Sequence, residues 1–135
     1  MGHLLSMEDN GDVVVFTGAD VVGAAGGVGY AVTVHDRDRT EINARGIGSF
    51  LVLFVRAVTR ETGTRLFGFQ EADDRRAFDA IVAVDGCGPA LAMRLLSTMS
   101  ASRLKEAIAG ADTAALRVPG CGVRTAQKLV AEVRW

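Results

Sequence analysis

Two stretches of the chain, VDGCGPALAMRLL at 84–96 and VPGCGVRTAQKLV at 118–130, repeat one glycine frame 34 residues apart. Gly86 aligns with Gly120, Cys87 with Cys121, Gly88 with Gly122, Ala92 with Ala126 and Leu95 with Leu129. Each stretch reads as a tight turn followed directly by a helix, with Pro89 in a favoured first-turn position. Glycine suits such a turn because it adopts backbone angles closed to other residues and lets a second backbone come close. The helix that starts beyond it points free N–H groups and the positive end of its dipole into the same space. A phosphate oxygen fits there, and so does a simple connection between antiparallel helices.

Around these turns the texture is helical. From Glu71 onward, Ala- and Leu-rich segments with a period near 3.6 predict helices over 73–84, 89–97, 101–109, 112–116 and 123–134. Ser100 and Asp112 are candidate N-caps, and the glycines at 86, 88, 110, 120 and 122 break the segments. Before Phe69 the chain is rich in Val and Phe, with strand-like runs at 13–16, 30–34, 50–58 and 65–69 separated by turn signals. About five short strands in that length predict a small five-stranded barrel of the oligonucleotide-binding (OB) type. Residues 35–48 read as a loop or a short helix crossing between strands. The expected organisation is therefore a multi-domain α and β chain: a five-stranded OB-fold β-barrel over 1–69, then an all-α tandem helix-hairpin-helix domain over 70–135.

The net charge of −1 argues against a protein that coats nucleic acid by bulk electrostatics, but the charge is unevenly placed. Residues 86–135 hold seven Lys or Arg against three Asp or Glu, whereas residues 1–70 hold six against eight. No apolar run reaches the roughly 18 to 20 residues of a membrane span, and the N-terminus turns acidic where a signal peptide would stay apolar, which predicts a cytoplasmic chain without a membrane partner. Cys87 and Cys121 lack the closely spaced partners of a zinc site, and His3 and His35 stand isolated, so neither a metal nor a cofactor is expected. The Gly-rich GAAGGVGY at 23–30 lacks the ending of a nucleotide P-loop, and no catalytic constellation is visible.

With GGVGY at 26–30, RETGTRLFGF at 60–69, GCGPALAMRLLSTMS at 86–100 and VPGCGVRTAQKLVAEV at 118–133, nearly the whole chain resembles the RuvA family of bacterial Holliday-junction binders. The resemblance implies structure-specific, sequence-independent binding of four-way junction DNA, holding the arms open and planar for branch migration in recombination and repair. It implies a homotetramer and no catalysis by this subunit. The DNA-binding positions it points to are Gly86, Cys87, Gly88, Ala90, Gly120, Cys121, Gly122, Val123, Arg124, Thr125 and Lys128. Arg124 and Lys128, at i and i+4, share one helix face, and Thr125 offers a hydroxyl nearby. Glu61 matches the first acid of the family's acidic pin at the junction centre, and Thr62 stands where a second acid is usual.

Ala90 and Val123 occupy positions where the family generally carries Lys or Arg, removing one cation per turn. The family continues through a linker to a third domain that engages the RuvB motor. The chain stops at Trp135, so engagement of that motor is not expected; a shortened relative, a piece of a longer protein and a designed chain all fit. A base-excision glycosylase shares the hairpin but needs a catalytic Asp well downstream of it. The alternative expectation is a non-catalytic duplex-binding or scaffold module with weakened DNA affinity.

Overall fold

Valine-rich segments that end at glycines become strands, and the alanine- and leucine-rich ones become helices. The computed structural model describes residues 3–7, 11–15, 21–25, 28–45 and 51–135, with side chains over 31–45 and 53–135. Phe16, Gly26, Gly27, residues 46–48 and Phe50 of the sequence motifs lie outside the described residues. The chain divides into two compact units, Met1–Arg75 and Arg76–Trp135. The division falls inside a helix.

The first unit contains β1 (His3–Met7), β2 (Gly11–Val15), β3 (Val21–Ala25), β4 (Val28–Thr33), α1 (Asp36–Arg45), β5 (Leu51–Arg60) and β6 (Gly63–Phe69). The sheet order is β2-β1-β5-β6-β4-β3, with β1·β5 and β4·β6 parallel and the other pairs antiparallel. The expectation of five strands is thus corrected to six. β2 and β3, at the two ends of this order, lie side by side but share no hydrogen-bonded ladder among the described residues, so closure of the sheet into a barrel is not shown. Of the two strands that no run in the sequence marked, β1 (HLLSM) mixes polar residues into its pattern and β3 (VVGAA) has three small residues out of five. Their backbones pair with β2 and β4.

Where side chains are described, β6 lies between β5 and β4, and its C-terminal half is buried on both faces at Phe67, Gly68 and Phe69. Gly68 is there because a Cβ would come within 2.5 Å of Val32 Cγ1 and 2.9 Å of Leu53 Cδ1. Val32, Val34, Ile42, Leu53, Val55, Phe67 and Phe69 form the apolar core of this unit.

The segment at 35–48, open between loop and helix in the sequence, is helical over Asp36–Arg45. Its only buried residues are Asp38 and Ile42, so apolar packing alone does not hold it. A polar clamp does. His35 caps the helix, its Nδ1 accepting from the Asp38 backbone N–H at 3.2 Å and its carbonyl from Arg39 at 2.9 Å. That acceptor role places the ring proton on Nε2, which faces Asp74 Oδ2 at 2.9 Å and Asp38 Oδ2 at 3.2 Å. Arg37 donates to Asp74 at 3.1 Å, and Gln70 donates to Asp38 through its backbone N–H at 2.9 Å and its amide at 3.0 Å. His35, isolated in the sequence, is therefore the centre of a buried cluster; Asp38 meets it locally at the start of α1, and Asp74 only through the tertiary fold.

The second unit takes up most of α2 (Ala72–Val82) and contains α3 (Pro89–Thr98), α4 (Ala101–Ala109) and α5 (Val123–Glu132). Its core is built from one face of each helix: Phe78 and Ile81, Leu95 and Leu96, Leu104 and Ile108, and Ala126 and Leu129, with Leu116 from the intervening loop. Ser100 caps α4 by accepting from the Arg103 N–H at 3.2 Å. Residues 112–116 are not a helix as expected but successive turns, in which Asp112 Oδ1 accepts from the Ala115 N–H and Leu116 and Arg117 bond three residues back. The segment is too short for a stable α-helical nucleus of its own.

At the end of α4, Gly110 has φ −85° and the left-handed position falls to Ala111, at φ 53°. The Asp112 N–H bonds to Ala107 O at 2.8 Å and the Ala111 N–H to Ile108 O at 3.1 Å, the paired bonds of a Schellman ending. An alanine there carries the steric cost that glycine avoids. Ala111→Gly should raise unfolding free energy by about 0.5–1 kcal/mol, read as a higher urea midpoint at unchanged m-value. Asp74→Ala leaves His35 Nε2 buried with one acceptor fewer and should destabilise by about 2–3 kcal/mol in the same measurement.

Candidate nucleic-acid interface

The two glycine frames fold into the same turn. The Cys87 N–H bonds to Val84 O at 3.0 Å and the Cys121 N–H to Val118 O at 2.8 Å, closing four-residue turns at 84–87 and 118–121. Gly86 has φ 83° and Gly120 φ 88°, each at the third place of its turn, where a type II turn requires positive φ. Pro119 stands at the second place of the second turn, the position proline favours; Asp85 fills it in the first.

Beyond each turn a helix begins at a glycine N-cap in extended conformation: Gly88 (φ −112°, ψ 177°) before α3 and Gly122 (φ −79°, ψ −177°) before α5. Neither N-cap side chain covers the first-turn N–H groups, because glycine has none. A Cβ built at Gly88 or Gly122 meets no described atom within 4 Å. The first helical bonds match as well, Ala92 N–H to Gly88 O at 3.2 Å and Ala126 N–H to Gly122 O at 3.0 Å. Both helix ends thus present uncapped donors to open space.

The repeat extends to long-range contacts. Lys128, on α5, reaches the first turn: its Nζ lies 3.9 Å from Asp85 Oδ2 and 3.8 Å from where a Cβ of Gly86 would be. Arg94, on α3, reaches the second turn: its Nη1 donates to Pro119 O at 3.3 Å and lies 2.6 Å from the corresponding point at Gly120. In the 34-residue register Arg94 aligns with Lys128 and Asp85 with Pro119, so each helix lends a cation to the other repeat's turn. The two turns are neighbours across an approximate two-fold relation. Arg94 was absent from the residues singled out by sequence; carrying the repeat alignment from Ala92 two residues further would have paired it with Lys128.

Cys87 and Cys121 point the other way, into the core, at 7% and 4% exposure. Burial raises both thiol pKa values; for Cys87 the charge of Cys121 adds to the rise and Lys128 offsets part of it, and for Cys121 Arg117 and the backbone at Val118 offset part. Their part in the turn is apolar packing and, through their backbone, turn closure. Ala90, Arg124 and Val123 are exposed, Val123 by 52%, while Thr125 is only partly so. Val123 therefore sets an apolar side chain at the rim of the second turn.

Glu61 and Thr62 are far from these turns in sequence and occur in the first unit. They form the two-residue loop of the β5–β6 hairpin, closed by the Arg60·Gly63 pair, with Gly63 at φ 130°. The Thr59 and Thr64 hydroxyls meet at 3.0 Å beneath them. Both tip residues are exposed.

Among the described residues the one group with the makings of a metal site is His35, Asp38 and Asp74, whose potential ligand atoms lie within 4.8 Å of one another. Arg37 and Gln70 already donate to its carboxylates, and the Nε2 proton occupies the place a cation would take. The set fits a structural clamp better than a metal centre.

Residues 78–134 match the SAM-like helix-hairpin-helix tandem family. Curated relatives with the name Holliday junction branch migration complex subunit RuvA include one from Chloroflexus aurantiacus, 40% identical over 111 residues, and one from Gloeobacter violaceus, 40% identical over 110. The chain is homologous to RuvA. A Mycobacterium leprae RuvA is 39% identical over 111 residues. These alignments cover 81–82% of this chain and 52–55% of the relatives, so the chain spans about half the length of the curated RuvA proteins it matches. No helix among the described residues is long and apolar enough to cross a membrane.

The raised thiol pKa values have a pH consequence. A thiol that ionises less readily when folded keeps its full contribution below the unfolded-state pKa, near 8.5, and loses it as pH rises through the folded value. Stability should fall above about pH 8.5, and Cys87→Val with Cys121→Val should flatten that fall in urea titrations run across the alkaline range.

Proposed function

We propose that the chain is a non-catalytic, sequence-independent binder of four-way junction DNA. The observation that carries this reading is the pair of adjacent type II turns, each leading into an uncapped helix N-terminus and each flanked by a cation from the other repeat. Backbone amides and cations held in this way suit phosphate oxygens and carry no base code. Two such cups side by side match two backbone strands of one duplex arm. Residues 70–135 are the DNA-binding part in this reading, with Gly86, Cys87, Gly88, Gly120, Cys121 and Gly122 supplying the turns, and Arg124, Thr125 and Lys128 the following helix.

Residues 1–69 serve as the junction-centre part in the manner of an OB-type barrel, and four copies surround the crossover. The hairpin tip at Glu61 and Thr62 then faces the crossing strands. One carboxylate repels phosphates there, and Thr62 adds only a hydroxyl, so the central pin is weaker than a doubly acidic one. Branch migration follows from the RuvA name of the relatives and depends on a motor partner.

Ala90 and Val123 each leave an exposed rim position without charge. Val123→Lys should steepen the dependence of log affinity on log salt by about one unit and raise affinity at low salt, measured by fluorescence anisotropy between about 50 and 200 mM salt. The same titration compares a four-way junction with linear duplex, beside light scattering for assembly size. Preference for the junction is the expected result. Equal affinity for duplex would leave a generic duplex-binding module, and assembly without any binding at low salt would leave a scaffold.

A further inference from the structure

We propose that Arg94 is a phosphate-binding residue of the second turn, supplied to that turn by the first repeat. The inference rests on the phosphate reading above and adds a residue, and an asymmetry between the two cups, to it.

Arg94 sits midway along α3, yet its guanidinium lies against Pro119 and Gly120. Guanidinium carries five N–H donors in a planar fork and stays charged at any working pH. A hydrogen bond from Nη1 to the Pro119 carbonyl fixes where the fork stands, and the residue is exposed. The helix around it explains the reach: Leu91, Ala92, Met93, Leu95 and Leu96 are all buried, so position 94 is the outward point of that turn of α3. A long side chain leaving from there runs along the surface to the neighbouring repeat.

The electrostatics of the two cups then differ. At the first, Lys128 faces Asp85, whose carboxylate lies at 3.9 Å and opposes a phosphate. At the second, the matching position is Pro119, which has no charge, and Arg94 donates to its carbonyl. With Val123 apolar at the rim and no side-chain cap on α5, Arg94 places its guanidinium directly against Pro119 and Gly120. It replaces, from another helix, the charge that position 123 lacks. The second cup therefore holds phosphate more tightly than the first.

The test is a salt titration of four-way junction binding with Arg94→Ala, Arg94→Lys, Arg94→Gln, Lys128→Ala and Arg103→Ala beside the parent chain. Arg103 lies on α4 near Glu106 and Asp112 and controls for net charge. Arg94→Ala should lower affinity roughly tenfold and reduce the salt slope by about 0.9, with an unchanged thermal midpoint. Arg94→Lys should restore the slope; Arg94→Gln, which keeps a donor for Pro119 but no charge, should not. Lys128→Ala should cost less than Arg94→Ala, because Asp85 already offsets that charge.

An unchanged slope in Arg94→Ala with a reduced one in Lys128→Ala overturns the proposal and leaves the phosphate reading standing. Retention of the slope by Arg94→Gln, or an equal loss in Arg103→Ala, overturns it as well, assigning the effect to turn shape or to bulk charge. If the parent chain binds no junction at low salt, both readings fall together.

Discussion

The positive φ of Gly86 and Gly120 is the constraint on which the helical unit depends. Each glycine lets its turn close within four residues, and α3 and α5 begin at the second residue past their turns. A Cβ at either position would force a left-handed conformation that L-residues adopt only at a cost. Because both turns close identically, Cys87 and Cys121 drop into the core from equivalent places, and Ala92, Leu95, Ala126 and Leu129 pack as equivalent layers. The near symmetry of the backbone is what sets Arg94 and Lys128 opposite the other repeat's turn.

That symmetry is not carried through in charge. Asp85 and Pro119 are structurally matched and electrostatically opposite: one adds a carboxylate beside a lysine, the other adds none. The two rim positions, Ala90 and Val123, are likewise matched and neutral. Cations arrive instead from residues six positions past each N-cap glycine, reaching across rather than along their own helix.

The β-rich unit solves a different problem, holding a polar helix on a sheet. α1 buries a single apolar side chain, Ile42, and its attachment is made by His35, Asp38, Asp74 and Gln70. Every member of that cluster answers another: imidazole Nδ1 to a backbone N–H, Nε2–H to two carboxylates, and each carboxylate to a further donor. Buried polar groups persist only under such complete pairing. Asp74 and Gln70 flank the start of α2, so the clamp also fixes where that helix begins.

The homologous relation to RuvA, the helical texture and the duplicated turn were all legible in the sequence, since glycine placement and the 3.6-residue period act locally. The helices at 89–97 and 101–109 emerge nearly as their patterns require. The segment at 112–116 does not, because its period covers too few residues to nucleate and turns satisfy its backbone instead. The end of α4 differs by one residue: Gly110 marks it, but the left-handed conformation falls on Ala111.

What the sequence by itself determined was the set of local conformations: where glycine opens a turn, where apolar spacing makes a helix face, and which residues sit at the tip of the β5–β6 hairpin. Only the tertiary structure decided the pairings across distance. Six strands took their order from backbone hydrogen bonds that side-chain alternation does not specify. His35 found Asp74, and Arg94 found Pro119, 39 and 25 residues away. Such contacts depend on how packed elements bring side-chain ends together, and no local pattern in the sequence encodes that distance.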